Sequence, residues 1–144
     1  MQGKKIIMGN WKMAPKSTKE AKAIFQNIRS AAGKLRNVQT VIAAPYVYLP
    51  ELKKLAKGKQ CLVGAQDVSF ESADAHTGEI SIDMLKESGA QYVIVGHSER
   101  RAKGETNEDI AKKVVVTTKK GLTAVVCVGE SERDDEGSYS LYVR

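Results

Sequence analysis

One of the chain's two histidines lies where a predicted buried strand ends, a common position for catalytic side chains. The apolar, β-branched run Tyr92 to Val95 predicts a parallel strand, and it leads into Gly96, His97 and four polar or charged residues. The positive end of a helix starting there would oppose protonation of the imidazole, and a neutral imidazole can donate a hydrogen bond to a substrate oxygen. This segment alone fits an ordinary strand-to-loop exit with a solvated His97 equally well.

A second strand exit carries an amide and a lysine. The apolar run that begins at Ile6 leads into Gly9, Asn10 and Lys12. Because side chains alternate between the two faces of a strand, Asn10 and Lys12 are expected to point the same way. The chain therefore has two strand exits that favour chemistry over simple packing.

Composition narrows the class of protein. A chain of 144 residues with 42% hydrophobic and 28% charged residues fits one globular domain, here residues 1–144. The net charge is +6, but 23 Lys and Arg are scattered among 17 acids and aromatics are only 6%, which argues against nucleic-acid binding. A mild positive field suits a small phosphorylated anion.

The sequence predicts a cytoplasmic protein without a cofactor, because it has no segment or residue spacing that indicates otherwise. No apolar run approaches the roughly 18 residues of a membrane span, and the first residues do not resemble a signal peptide. Cys61 and Cys127 lie at the edge of or inside apolar runs, so we interpret them as reduced packing residues of a cytoplasmic protein. Their spacing suggests no metal, and no cofactor is predicted.

Strand-like and helix-like segments alternate along the chain, which predicts a parallel sheet with helical crossovers. The expected strands are Lys5 to Met8, Val38 to Ala44, Cys61 to Ala65, Tyr92 to Val95 and Leu122 to Val128. The expected helices are Thr18 to Ala32 with a Ser17 and Glu20 capping box, Leu49 to near Gly58, Ile82 to Ser88, and one from the Thr106 and Asp109 capping pair to Lys120.

The motifs at the two strand exits closely resemble the triosephosphate isomerase family: Gly-Asn-Trp-Lys-Met at 9–13 and Val-Gly-His-Ser-Glu-Arg-Arg at 95–101. Two further segments agree: 64–67 with 76–81, and Cys-Val-Gly-Glu at 127–130. The resemblance runs from about residue 4 to about residue 130. It implies a partial TIM (β/α)₈ barrel of five parallel strands with four helices, which needs a partner to close or cover the sheet.

The resemblance also implies the interconversion of dihydroxyacetone phosphate and glyceraldehyde 3-phosphate through an enediolate. His97 and Lys12 match catalytic positions: His97 would polarise the carbonyl, and Lys12 would offset phosphate and enediolate charge. Asn10, Lys12 and Glu99 match substrate-binding positions, with Asn10 helping to position the substrate. Glu99 matches an acid that the family does not use as its principal base.

Other matches are supporting ones. Packing and ion pairs are a sufficient role for four residues that match supporting positions of the family: Ser98, Arg100, Cys127 and Glu130. One departure is that family members usually have an aromatic residue after the double arginine, where this chain has Ala102-Lys103.

The long polar loop from 66 to 78 has no predicted structure of its own, which is typical of a functional or interface loop. By resemblance it reaches into a neighbouring subunit, and Thr77, Gly78 and Glu79 are the candidate interface residues of an oligomer. Without the resemblance, the same loop would be interpreted as a floppy surface segment.

The sequence carries five of the eight strands of a closed barrel, which typically takes about 250 residues. In the family the glutamate base and the lid loop follow strand six, and much of the phosphate-binding site is formed by loops seven and eight. We therefore expect the chain to be inactive alone and to require a complementing C-terminal half-barrel chain. The alternatives are a noncatalytic half-barrel or truncation that retains the motifs and self-associates through its open edges, and a homo-oligomeric site with Glu99 as substitute base. The last six residues resemble the start of a helix.

Overall fold

The computed structural model describes residues 5–71 and 76–129. Within them, one sheet of parallel strands has the spatial order β1-β2-β3-β4-β5. The strands are β1 Lys5–Asn10, β2 Val38–Ala44, β3 Cys61–Ala65, β4 Tyr92–Val95 and β5 Thr123–Val126. Because every crossover moves one strand further in the same direction, right-handed connections place the helices on one face, and the sheet curls into a half-barrel.

The described part has two helices of ordinary length, α1 and α5, and three of seven residues or fewer, and most of the five begin at a side-chain cap. They are α1 Thr18–Ala32, α2 Leu49–Leu55, α3 Ile82–Glu87, α4 Ser98–Arg101 and α5 Asn107–Lys119, with a 3₁₀ turn Tyr46–Tyr48 before α2. Thr106 and Asp109 form the predicted capping box of α5. At α1, Ser17 accepts from the Glu20 N–H as expected, but the Glu20 carboxylate accepts from the Lys16 N–H instead of the Ser17 N–H.

The main core lies between the helices and the outer face of the sheet. Its fully buried members include Phe25, Leu49, Leu52, Val63, Leu85 and Val93. Complete burial of one such side chain contributes about 1.5–3 kcal/mol. One continuous cluster joins α1 to the start of β5, so the described units stabilise one another.

Three basic side chains each link the end of one helix to the end of a later helix. Carbonyl groups at the end of a helix have no intrahelical partner and carry partial negative charge, so a cation placed there is stabilising. The three hydrogen bonds run from Arg29 Nη1 to Leu55 O (2.7 Å), from Lys53 Nζ to Glu87 O (2.7 Å) and from Lys86 Nζ to Lys120 O (2.9 Å). These bonds, the cross-helix ties, link α1, α2, α3 and α5 in chain order.

The sheet has two open edges in the described part of the chain, since β1 pairs only with β2 and β5 only with β4. Apolar side chains lie exposed near them: Ile6 and Ile7 are each 53% exposed, and Val128 is 74% exposed. Unpaired strand edges beside exposed apolar groups favour association with further strands. The predicted fold class, a partial TIM barrel, is confirmed, whereas the need for a partner stays a prediction.

Some element bounds differ from those predicted. β1 continues to Asn10, β5 is limited to Thr123–Val126, and the one-turn helix α4 was not predicted. Residues 1–4, 72–75 and 130–144, which include Glu130 and the predicted helix start near the last residues, lie outside the described part. Among residues 5–71 and 76–129, no helix is both long and apolar enough to span a membrane.

Candidate active site

The candidate catalytic residues lie at the carboxyl ends of β1 and β4. Asn10 is the last residue of β1, and His97 follows the end of β4 by two residues. The carboxyl ends of parallel strands meet at one edge of the sheet, which is where barrel enzymes carry their active sites. Lys12 and Glu99 join the two exits across β2 and β3.

Lys12 reaches this edge by a route that strand alternation does not predict. β1 ends at Asn10, and Lys12 has a left-handed backbone with φ 52°. The Asn10 Oδ1 accepts the Lys12 backbone N–H at 2.9 Å. The premise that both residues belong to one strand is therefore wrong, and a local turn holds them together. A left-handed conformation costs a residue with a side chain about 1–2 kcal/mol.

An ion pair connects Lys12 to Glu99. Lys12 Nζ lies 2.5 Å from Glu99 Oε1, and more than half of each side chain is exposed. The hydrogen bond from Lys12 is the main cause that holds the pKa of Glu99 below its usual value. A carboxylate with a lowered pKa is a weaker base, which argues against Glu99 as a substitute proton acceptor.

His97 is the N-cap of α4 and is only partly exposed. Its Nδ1 accepts the Glu99 backbone N–H at 3.2 Å. A neutral imidazole with an accepting Nδ1 carries its proton on Nε2, so Nε2 is the ring atom that can donate. The helix start after β4 on which the predicted neutrality of His97 depends is present as the single turn α4, although the bounds of this helix were not predicted.

Gln66 belongs to the same edge, and sequence reasoning missed its role. It is the first residue after β3, and its Nε2 donates to Lys12 O at 2.8 Å. The same Nε2 lies 3.3 Å from Asn10 Oδ1. Two donors on Asn10 Oδ1 fix the orientation of this amide, whose Nδ2 is its hydrogen-bond donor. The available signal was a polar residue placed immediately after a buried strand, as at the two predicted exits.

A charge network that is buried except for Arg100 lies beside the site. Its members are Asp67 after β3, Arg100 in α4, Glu105 before α5, and Lys113 in α5. Lys113 Nζ lies 2.7 Å and 2.9 Å from the Asp67 oxygens and also contacts Glu105. Arg100 Nε lies 2.6 Å from Asp67 and 3.2 Å from Glu105. The ion pairing expected of Arg100 is therefore present, and the network fixes α4 against β3 and α5.

The two carboxylates of the network differ in their response to burial. Burial raises the pKa of Asp67 above its usual value, although Lys113 donates a hydrogen bond to it. Burial would raise the pKa of Glu105, but hydrogen bonds from Lys113 and Arg100 outweigh it and lower that pKa. The second oxygen of Glu105 is buried and has no hydrogen-bond partner among the described residues.

The remaining predicted residues lie around the site. Ser98 is the first residue of α4, and the Cys127 carbonyl accepts from Arg101 Nη2 at 3.3 Å. Cys61 and Cys127 are free thiols, and burial raises the pKa of each.

The predicted interface residues Thr77, Gly78 and Glu79 are exposed in a turn of their own. The Glu79 N–H donates to His76 O at 3.1 Å, and Gly78 has φ 91°, a conformation that favours glycine. This geometry leaves their interface role a prediction.

Sequence comparison agrees with this geometry. The family model described as Triosephosphate isomerase matches residues 5–143. The chain belongs to the triosephosphate isomerase family. The resemblance inferred from the two strand exits is thereby confirmed.

Similar proteins cover the chain almost fully, but the chain covers only part of them. The triosephosphate isomerase of Paracidovorax citrulli is 45% identical over 139 residues, which are 94% of this chain and 55% of the relative. That of Salmonella dublin is 41% identical over 132 residues, 91% of this chain and 51% of the relative. The crystal structure of triosephosphate isomerase from Bartonella henselae is 36% identical with a TM-score of 0.75, covering 88% of this chain and 52% of that one. The chain thus spans about half the length of the curated relatives it matches.

Proposed function

We propose that this chain supplies the amino-terminal half of a triosephosphate isomerase site for dihydroxyacetone phosphate and glyceraldehyde 3-phosphate. The observation that carries the proposal is the meeting of Lys12, Glu99 and His97 at one edge of the sheet. Lys12 and Glu99 are 87 positions apart in the sequence. The edge is also the one that bears active sites in barrel enzymes.

The described side chains suit the stabilisation of negative charge on the substrate. Lys12 carries a positive charge that offsets the phosphate and the developing enediolate. His97 Nε2–H donates to the carbonyl oxygen as it becomes an oxyanion, and Asn10 Nδ2 offers a further neutral donor. In this assignment Glu99 orients Lys12 and the base is another residue.

Proton transfer between adjacent carbons requires that base. By family resemblance it is a glutamate on a later βα unit, together with phosphate-binding loops beyond it. We propose that activity appears only when such units pair with the open edges at β1 and β5, whether on a separate complementing chain or on a longer polypeptide. The exposed Ile6 and Ile7 beside β1 support this docking.

The test is reconstitution. The purified chain is mixed with a segment covering the part of the Paracidovorax citrulli enzyme beyond the matched region, and isomerase activity is measured with and without it. We expect negligible activity alone and substantial activity in the mixture. Lys12→Met should then lower kcat by about 100-fold or more, because it removes a charge that stabilises the transition state, whereas Lys16→Met, at an exposed position in the following loop, should change kcat little. A stable complex without activity would overturn the proposal.

A second candidate function is a noncatalytic half-barrel that self-associates through its open edges. The exposed apolar groups at both edges favour it equally. Sedimentation of the chain alone separates the two: a tight homo-oligomer that excludes the complementing segment supports self-association.

For the assembled enzyme we propose that Thr77, Gly78 and Glu79 form subunit contacts. The variant with alanine at all three positions should then have a lower sedimentation coefficient than the unchanged assembly.

A further inference from the structure

The loop that carries Lys12 is contacted by a side chain from the exit of β3, two strands away in the sheet. Gln66 Nε2 donates to Lys12 O at 2.8 Å and lies 3.3 Å from both Asn10 Oδ1 and Ala43 O. We propose that Gln66 is a positioning residue that holds Lys12 in its left-handed conformation and so sets where the ammonium group lies. The proposal rests on the proposed function, because it concerns the place of Lys12 in that site.

Two hydrogen bonds fix the Lys12 backbone from both sides of its Cα. The Lys12 N–H is held by Asn10 Oδ1 at 2.9 Å, and its C=O is held by Gln66. Holding the peptide groups on both sides restrains φ and ψ together, which offsets the cost of a left-handed lysine. Gln66 also fixes Asn10 itself, so one amide orients both residues.

Of the three oxygens that Gln66 contacts, Lys12 O is the one that has no other donor among the described residues. Ala43 O already accepts the Trp11 N–H at 2.9 Å, so β2 does not depend on Gln66 for that carbonyl. Among the described residues, Gln66 is the donor to Lys12 O. The geometry therefore favours a role at the lysine loop over a role in general sheet stability.

Tryptophan fluorescence tests this without any activity. Trp11 is the chain's single tryptophan and lies between Asn10 and Lys12. In the full 144-residue chain, Gln66→Met and the equally shaped Gln66→Glu both remove the donor. We expect each to shift Trp11 emission and to move the Lys12 ¹³Cα and ¹³Cβ shifts away from left-handed values, with a urea midpoint close to that of the unchanged chain.

The matched control is Gln39→Met. Gln39 Nε2 also donates to a backbone carbonyl, Lys59 O at 3.1 Å, but at the opposite end of the sheet. It should leave Trp11 emission and the Lys12 shifts unchanged. Equal shifts in the Gln39 and Gln66 variants, or no shift in either Gln66 variant, would overturn the proposal.

Kinetics of the reconstituted enzyme give the second readout. Displacing Lys12 should raise KM and lower kcat/KM by up to about 100-fold, whereas a loss of folded protein would lower apparent kcat and leave KM unchanged. An unchanged KM would refute positioning by Gln66. If the unsubstituted complex is itself inactive, the proposed function fails, and the Trp11 and Lys12 signals still decide the role of Gln66.

Discussion

Replacing Lys113 tests how strongly the buried charge network stabilises the chain. Lys113 has a side chain only 4% exposed and contacts Asp67 and Glu105, whose side chains are 9% and 6% exposed. Lys113→Met leaves two buried carboxylates facing Arg100 alone. Removing one partner of a buried ion pair costs about 3–5 kcal/mol. Since a domain is stable by about 5–15 kcal/mol, this is a large share of the total.

The matched control is Lys120→Met, the same chemical change just after the end of the same helix. Lys120 Nζ lies 2.9 Å from Asp83, but those side chains are 48% and 62% exposed. An exposed ion pair contributes about 0–1 kcal/mol. Urea unfolding of the full chain at pH 7, followed by circular dichroism, should therefore separate the two variants by at least 2 kcal/mol.

The pH dependence of the free energy of unfolding gives a second test of the charge network. The pKa of Glu105 is lowered in the folded chain, so its stabilising contribution is present above its ordinary value of 4.5 and is lost as pH falls through the folded value. In Lys113→Met, protonation of Asp67 and Glu105 removes the unpaired charge, so the difference from the unchanged chain should shrink as pH falls below 4.5. A difference between Lys113→Met and Lys120→Met below about 1 kcal/mol, or one that stays constant with pH, would refute the reasoning.

Three further substitutions test local features. Gly96→Ala should lower the free energy of unfolding by about 1–3 kcal/mol in urea titration, because Gly96 has φ 70° and a Cβ there would lie 2.7 Å from Ile110 Cδ1; an unchanged midpoint would contradict this. Lys12→Met should raise the pKa of Glu99 towards its ordinary value by removing the hydrogen bond that lowers it, which a ¹³C NMR titration of the carboxyl detects; a pKa that does not move would show that the ion pair is absent in solution. Thr106→Ala should cost about 1 kcal/mol in thermal or urea unfolding because the α5 N-cap is lost, and no loss would mean that the cap is replaced by water.

Much of the fold could be predicted from local pattern. The bounds of β2 match the predicted ones because a β-branched run meets Pro45, which cannot join a central ladder. α1 also matches, because an apolar face of helical period follows Ser17. α4 was missed because its four residues are all polar and show no period; a cap by the His97 ring starts the turn, and contacts of its arginines hold it.

The site was less predictable than the fold. Asn10, Lys12, His97 and Glu99 were singled out by strand exits and family motifs, but the 2.5 Å ion pair joins residues 87 positions apart and depends on how β1 and β4 are placed by the sheet. The left-handed conformation of Lys12 could not be predicted, because the usual sequence signal for it is a glycine and this position holds a lysine. The role of Gln66 could not be predicted from the sequence, because a single amide in a polar loop shows no periodic pattern.

The cross-helix ties give the ring of helices a direction. Each tie runs forward along the chain, from a basic residue near the end of one helix to a carbonyl at the end of a later one, so α2, α3 and α5 are each held by an earlier helix, and α4 has no such tie. Opening α2 would release the hold of Lys53 on Glu87 O and so free the end of α3, whereas α1 would keep its own closing carbonyls undisturbed. Opening α2 would also remove the acceptor of Arg29 in α1, so disorder in α2 weakens a contact on both sides of it. Lys119 in the last turn of α5 is the corresponding cation for the end carbonyls of a further helix.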